Sequence, residues 1–159
     1  MTLKGTFDYG NLVDTLINIA KDNMDMDMVL EDGMGDQPPY PFYSFTMTSP
    51  HINVTRDVVS DEVFELVLSI TCHDKNCTST LSLAESLRKL LRTDAVRQTL
   101  QTNNIAIIGI DTTTNRDIPL IDIYEYRAGF DVHLRVQDSF MESLPQINSV
   151  DLKNKNIEK

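Results

Sequence analysis

Two stretches of this chain alternate apolar with polar residues at a period of two. In the later one, Tyr124, Tyr126, Ala128, Phe130, Val132, Leu134 and Val136 occupy the even positions, and Glu125, Arg127, Gly129, Asp131, His133, Arg135 and Gln137 the odd ones. That spacing predicts a strand with one buried and one wet face. Its 13 positions, 124–136, would extend about 43 Å at ~3.3 Å per residue, beyond an ordinary strand. A ribbon this long is expected to overhang its own core and meet another molecule, with Gly129 as the place for a bend or bulge. The earlier stretch sets Phe64, Leu66, Leu68, Ile70 and Cys72 against Glu65, Ser69, Thr71 and His73. It predicts a second half-buried strand.

Helical spacing appears in two places. Tyr9, Leu12, Val13, Leu16, Ile17 and Ala20 recur every three or four residues, predicting an amphipathic helix over 8–21 with Asp8 as its cap. Leu83, Leu87, Leu90 and Leu91 form the core stripe of a central helix starting at Thr78 or Thr80, and Asp94 caps a short continuation through Val96 and Leu100. Between the first helix and the earlier strand, Gly33, Gly35, Pro38, Pro39 and Pro41 punctuate a loop. The aromatic segment 40–47 reads as a strand whose prolines place its start at an edge. Residues 49–61 read as a connection or hairpin arm. Asn103 and Asn104 supply a turn, 105–110 a buried strand, 112–117 a polar loop, and 118–126 a returning strand.

The order of elements predicts an α+β fold: a mostly antiparallel sheet of about five strands, two main helices on one face, and the long ribbon near the C-terminus. One domain is expected over 1–137, followed by a loosely held polar tail over 138–159. No apolar stretch approaches the ~18 residues that span a bilayer, so a cytoplasmic chain with free thiols at Cys72 and Cys77 is expected.

Charge refines this picture. The formal net charge of −10 argues against a general nucleic-acid binder, which needs basic surface. Asp22, Asp25, Asp27, Glu31, Asp32 and Asp36 lie in one stretch without Lys or Arg, whereas Arg88, Lys89, Arg92 and Arg97 make the central helical region basic. Opposed patches suit contact between copies or with a partner, and equally an ordinary solvated surface. Met24, Met26, Met28, Met34 and Met47 supply either an adaptable contact surface or simple core filling.

Candidate chemistry is thin. Cys72, His73 and Cys77 are zinc-ligand types, but neighbouring strand residues face opposite ways, leaving a buried Cys72 and an exposed His73 as the expectation. Asp25 and Asp27 begin a calcium-loop spacing that Val29 and Leu30 then break. Asp131, His133 and Arg135 share one strand face, where a wet surface also places charge. No nucleophile elbow or phosphate-binding glycine loop is present. No cofactor and no enzyme are expected.

The run Tyr124, Glu125, Tyr126, Arg127, Ala128, Gly129, Phe130, Asp131 and Val132, then Leu134, Arg135 and Val136, resembles the bacteriophage neck or tail terminator family. Pro39, Tyr40, Pro41, Phe42 and Tyr43 support the resemblance, as do the residues from Glu65 through Leu66, Val67, Leu68 and Ser69 to Ile70. It covers 8–137 and leaves the last 22 residues aside. The resemblance implies a structural virion protein, assembled in the host cytoplasm into a homo-oligomeric ring, commonly a hexamer. The ring would cap the head-proximal end of a tail tube, stop its polymerisation and join the tail to the head connector. The implied partners are the tail tube protein, the head connector or head-closure protein and, in a contractile tail, the sheath. DNA would pass through the lumen without specific binding. On this reading Glu125, Arg127, Asp131 and Arg135 are candidate contacts between subunits or with neighbours, and the acidic loop faces the lumen or a partner. A head-closure adaptor or tail tube subunit is the near alternative. A small metal-dependent enzyme or a monomeric binding domain is the distant one.

Overall fold

The computed structural model describes residues 3–4, 6–33, 35–118 and 124–142. After a two-residue strand β1 (Leu3–Lys4), the helix α1 (Tyr9–Met24) starts where Asp8 caps it, its carboxylate accepting from the Asn11 amide at 3.0 Å. Asp25 ends the helix in the left-handed region at φ 51°. A short strand β2 (Met28–Leu30) follows, then the hairpin of β3 (Phe42–Asn53) and β4 (Val63–Asp74). Next come α2 (Cys77–Leu90), α3 (Asp94–Thr102), β5 (Ile105–Ile110), the two-residue β6 (Thr114–Asn115), β7 (Tyr126–Gln137) and β8 (Met141–Glu142). Asn76 rather than a threonine caps α2, and Thr93 rather than Asp94 occupies the cap position of α3.

The main sheet has six strands in the order β2-β3-β4-β7-β5, with β6 also on β7. Only the β2–β3 pair is parallel, so the fold is α+β with a mixed, mostly antiparallel sheet. Both alternating segments are strands, as predicted, and they are each other's partners. β4 and β7 run antiparallel through an unbroken register from Val63 opposite Gln137 to Asp74 opposite Tyr126. Phe64, Leu66, Leu68, Ile70 and Cys72 therefore lie level with Val136, Leu134, Val132, Phe130 and Ala128. These residues, with Tyr43 and Phe45 of β3, form one core with Leu12 and Leu16 of α1, Ala84 and Leu87 of α2, and Val96 and Leu100 of α3. All three helices thus cover the same face, and each large core side chain buried there contributes roughly 1.5–3 kcal/mol.

The structure departs from the sequence pattern at several points. The ribbon does not overhang: β7 is flanked by β4 on one side and β5 on the other. Gly129 is not a bulge, since its register with Thr71 is regular; the irregularity lies in β5, between Ile107 and Gly109. β3 is interior where β2 covers it, because Pro39 and Pro41 precede its first residue and cost no ladder bonds. It also continues to Asn53, taking residues 49–53 of the expected connection into the sheet through two register shifts. The segment 54–62 closes this hairpin. Met26 and Met28 fill core, Met24 and Met47 pack against it, and Met34 lies outside the described residues. The strand expected over 118–126 falls largely outside them too; residues 118 and 124–125 are irregular. β8 pairs with β1, and the Asp138 amide donates to the Glu62 carbonyl at 2.8 Å, so 138–142 docks against the base of the β3–β4 loop.

Candidate functional site

The face of the sheet turned away from the helices carries the odd residues of β4 and β7. Alternation placed polar groups there, and the fold brings them together in separate knots.

The first knot sits where β3, β4 and the start of β7 meet. His73, expected to be exposed, is only 5% accessible. It is level with Phe42 across the β3–β4 pair and with Arg127 across the β4–β7 pair, and its ring stacks on Phe42 with centroids 4.6 Å apart. Its Nδ1 lies 2.6 Å from Glu125 Oε1 and its Nε2 2.7 Å from Ser44 Oγ. A carboxylate only accepts, so Nδ1 carries the proton in that contact. Arg127 Nε donates to the same Glu125 oxygen at 2.6 Å, and the Tyr40 hydroxyl donates to Oε2. Burial raises the Glu125 pKa, but the hydrogen bonds from Tyr40, His73 and Arg127 outweigh it and hold the carboxyl below its ordinary range. The knot borders a cavity of about 350 Å³ whose opposite wall is the acidic loop, including Glu31 and Asp36.

Serine, imidazole and carboxylate in this order form a proton relay of the kind used in acyl transfer. Here Ser44 is 3% accessible and sits between β2 and β4 in the ladder, which commits its backbone to sheet bonds. With Glu125 also held by Arg127 and Tyr40, the geometry acts as a brace pinning residue 125 to β3 and β4.

The second knot is built on Gly129. A Cβ there would lie 2.2 Å from the Ile70 carbonyl oxygen and 3.0 Å from Thr71 Cα. The space is taken by Arg116, arriving from the loop after β6. Its Nη1 donates to Ser69 Oγ at 2.5 Å and Thr71 Oγ1 at 3.1 Å, and its Nη2 to Asp131 Oδ1 at 2.7 Å. For Asp131, burial again raises the pKa, and the Arg116 and Ser69 hydrogen bonds reverse it, leaving the carboxyl below its usual range. The remaining charges of the ribbon pair separately. His133 Nε2 is 3.3 Å from Asp111, and Arg135 reaches Glu65 at 2.6 Å. Asp131, His133 and Arg135 therefore make no common site.

Of the acidic residues, Asp25 and Asp27 share Lys21 at 3.0 and 3.2 Å. Asp22 lies on the exposed side of α1, while Glu31, Asp32 and Asp36 stand exposed after β2. Cys72 is buried in the core and His73 on the opposite face, while Cys77 is exposed. Among the described residues no three metal-ligating side chains gather, and no helix is long and apolar enough to cross a membrane.

Sequence reasoning missed Ser44, Tyr40 and Arg116. Tyr40 meets Glu125 85 residues away, and Arg116 joins Ser69, 47 residues back, to Asp131, 15 residues on, with nothing local to mark either. A family model described as phage neck terminator protein matches residues 13–158, running into the C-terminal segment that the resemblance had left aside. No curated protein matches the chain.

Proposed function

Because the chain belongs to the phage neck terminator family, and so is a structural component of the virion's tail region, we propose that it forms a ring on the head-proximal end of the tail tube. The ring ends tube polymerisation and presents the surface that joins the tail to the head connector. The observation carrying this reading is the family match over nearly the whole chain. On this reading the ring closes as a hexamer, and its partners are the tail tube protein, the head connector or head-closure protein and, in a contractile tail, the sheath. A net charge of −10 supports a lumen through which DNA slides without being held, since acids deny it phosphate contacts.

The knots on the outer face support a rigid building block rather than a reaction centre, for their groups are spent on one another. Among the four ribbon residues first singled out, Arg135 stands nearest to solvent, with 48% of its side chain accessible, and is the one best placed to meet a neighbour. Glu125, Arg127 and Asp131 act on such a contact through the shape they hold.

Tube assembly in the presence of purified protein tests the proposal. Tubes should stop at defined lengths and carry a single ring at one end by negative stain. Unchanged tube lengths with no terminal ring would refute it, and polymerisation of this chain alone into tubes would favour the tube-subunit alternative.

A further inference from the structure

Resting on that ring reading, we propose that neighbouring subunits join head to tail, the acidic turn after β2 of one copy seating in an arginine-rimmed groove at the β5 edge of the next. The two surfaces lie at opposite ends of one sheet, four strand spacings or about 19 Å apart. Each copy therefore offers one of each, the condition for a heterologous contact that closes into a ring when the rotation permits.

The groove, about 450 Å³, lies between β5 and the end of α2 with the start of α3. Arg88, Arg92 and Arg97 rim it, and residues 107–110 with Leu91 form its floor. Arg88 is engaged within the chain, bonding the Asp111 carbonyl at 2.9 Å and Glu85 at 3.1 Å. Arg92 and Arg97 are exposed and form no ion pair among the described residues. Ile108, skipped in the register between Ile107 and Gly109, is 45% accessible and lines the same groove as the two uncompensated cations.

The opposite edge carries the complement. Leu30 is 50% accessible, and Glu31 and Asp32 follow it in an exposed turn closed by the Gly33 amide on the Leu30 carbonyl at 3.0 Å. Lys21 neutralises Asp25 and Asp27, but no base among the described residues reaches Glu31 or Asp32. One apolar side chain beside two free acids faces one apolar side chain beside two free arginines. Copies carrying a net charge of −10 repel on average, which favours a contact that sets the uncompensated arginines against acids. The irregularity at Ile108 disfavours indiscriminate strand addition along β5, leaving side-chain docking as the mode. Charge pairs of this kind set orientation and partner choice. Duplex DNA is the competing occupant, but two free arginines on so acidic a chain would release few counterions.

The test follows assembly of the full chain, alone and with tail tubes, by light scattering and negative stain. Two double variants are used, Arg92→Glu with Arg97→Glu and Glu31→Lys with Asp32→Lys. Each alone should lose rings, associating at least tenfold more weakly, while an equimolar mixture should rebuild rings of alternating composition. A milder pair, Arg92→Gln with Arg97→Gln, should weaken the rings and flatten their salt dependence without disturbing the fold. Intact rings in all variants would overturn this placement and leave the ring reading standing. A wild-type chain that stays monomeric even with tubes would overturn both. Wild-type retention of a DNA fragment, lost in the arginine variants while their rings persist, would assign the groove to DNA and overturn the proposal.

Discussion

Replacing Gly129 by alanine tests the tightest point of the sheet. The added methyl would stand 2.2 Å from the Ile70 carbonyl oxygen, more than 1 Å inside the ~3.5 Å at which such atoms rest. Arg116 Nη1, at 3.0 Å, can swing aside, but the Ile70 carbonyl belongs to the central ladder and cannot. Overpacking of this kind costs about 1–3 kcal/mol. Displacing the guanidinium from Ser69, Thr71 and Asp131 forfeits charged hydrogen bonds worth about 1.5–3 kcal/mol. Alanine returns about 0.4–1 kcal/mol by restricting the unfolded chain. The net loss is about 2–5 kcal/mol, lowering Tm by about 4–20 °C at ~2–4 °C per kcal/mol for a chain of this size. Thermal unfolding followed by circular dichroism reads it, with Gly35→Ala as control because nothing lies within 4 Å of that position. A Gly129→Ala protein melting within 2 °C of wild type would refute the reasoning, since β4 and β7 could not then cross so closely.

The remaining predictions concern titration, thiols and surface charge. Glu125 and Asp131 are held below their ordinary pKa values. Their contribution is therefore present above the unfolded values of about 4.3 and 3.9 and is lost as pH falls through the folded ones. Urea unfolding across pH 6 to 2.5 should show an acid limb that flattens in Glu125→Gln, and an unchanged slope would remove Glu125 as its source. Burial pushes the Cys72 thiol up to about 12, whereas Cys77 is exposed; a thiol reagent at pH 8 should label one cysteine in the native protein and both in denaturant. Equal native rates would contradict the burial of Cys72. Arg135→Ala breaks a partly exposed pair with Glu65 and should cost no more than ~1 kcal/mol. A Tm drop beyond about 5 °C would show that the pair does more than decorate the surface.

The strands most legible in the sequence were those whose one face is core. Alternation located β4 and β7, and the helical stripes located α1 and α2, because burial imposes a period on long elements. β2 was illegible because three residues carry no period, and its partner Tyr43 lies 15 positions on. Alternation also could not distinguish polar groups that meet water from polar groups that meet each other. Glu125 and His73, 52 residues apart, looked like wet ribbon and strand end, yet each satisfies the other in a nearly dry knot. The same limit hid Arg116, whose loop position gave no sign that Gly129 leaves room for it. The uneven distribution of charge was plain from the outset, but its meaning depended on strand order, which placed acids and arginines at opposite edges.

The unbroken register between β4 and β7 also has a mechanical meaning. A load applied along these strands is shared in shear by the full run of pairs from Val63–Gln137 to Asp74–Tyr126. A load that pulls sideways on β2 or β5 opens shorter ladders a pair at a time. The subunit is thus stiff along its middle and compliant at its margins. A ring jointed through those margins would yield at its seams under strain while each stave kept its shape.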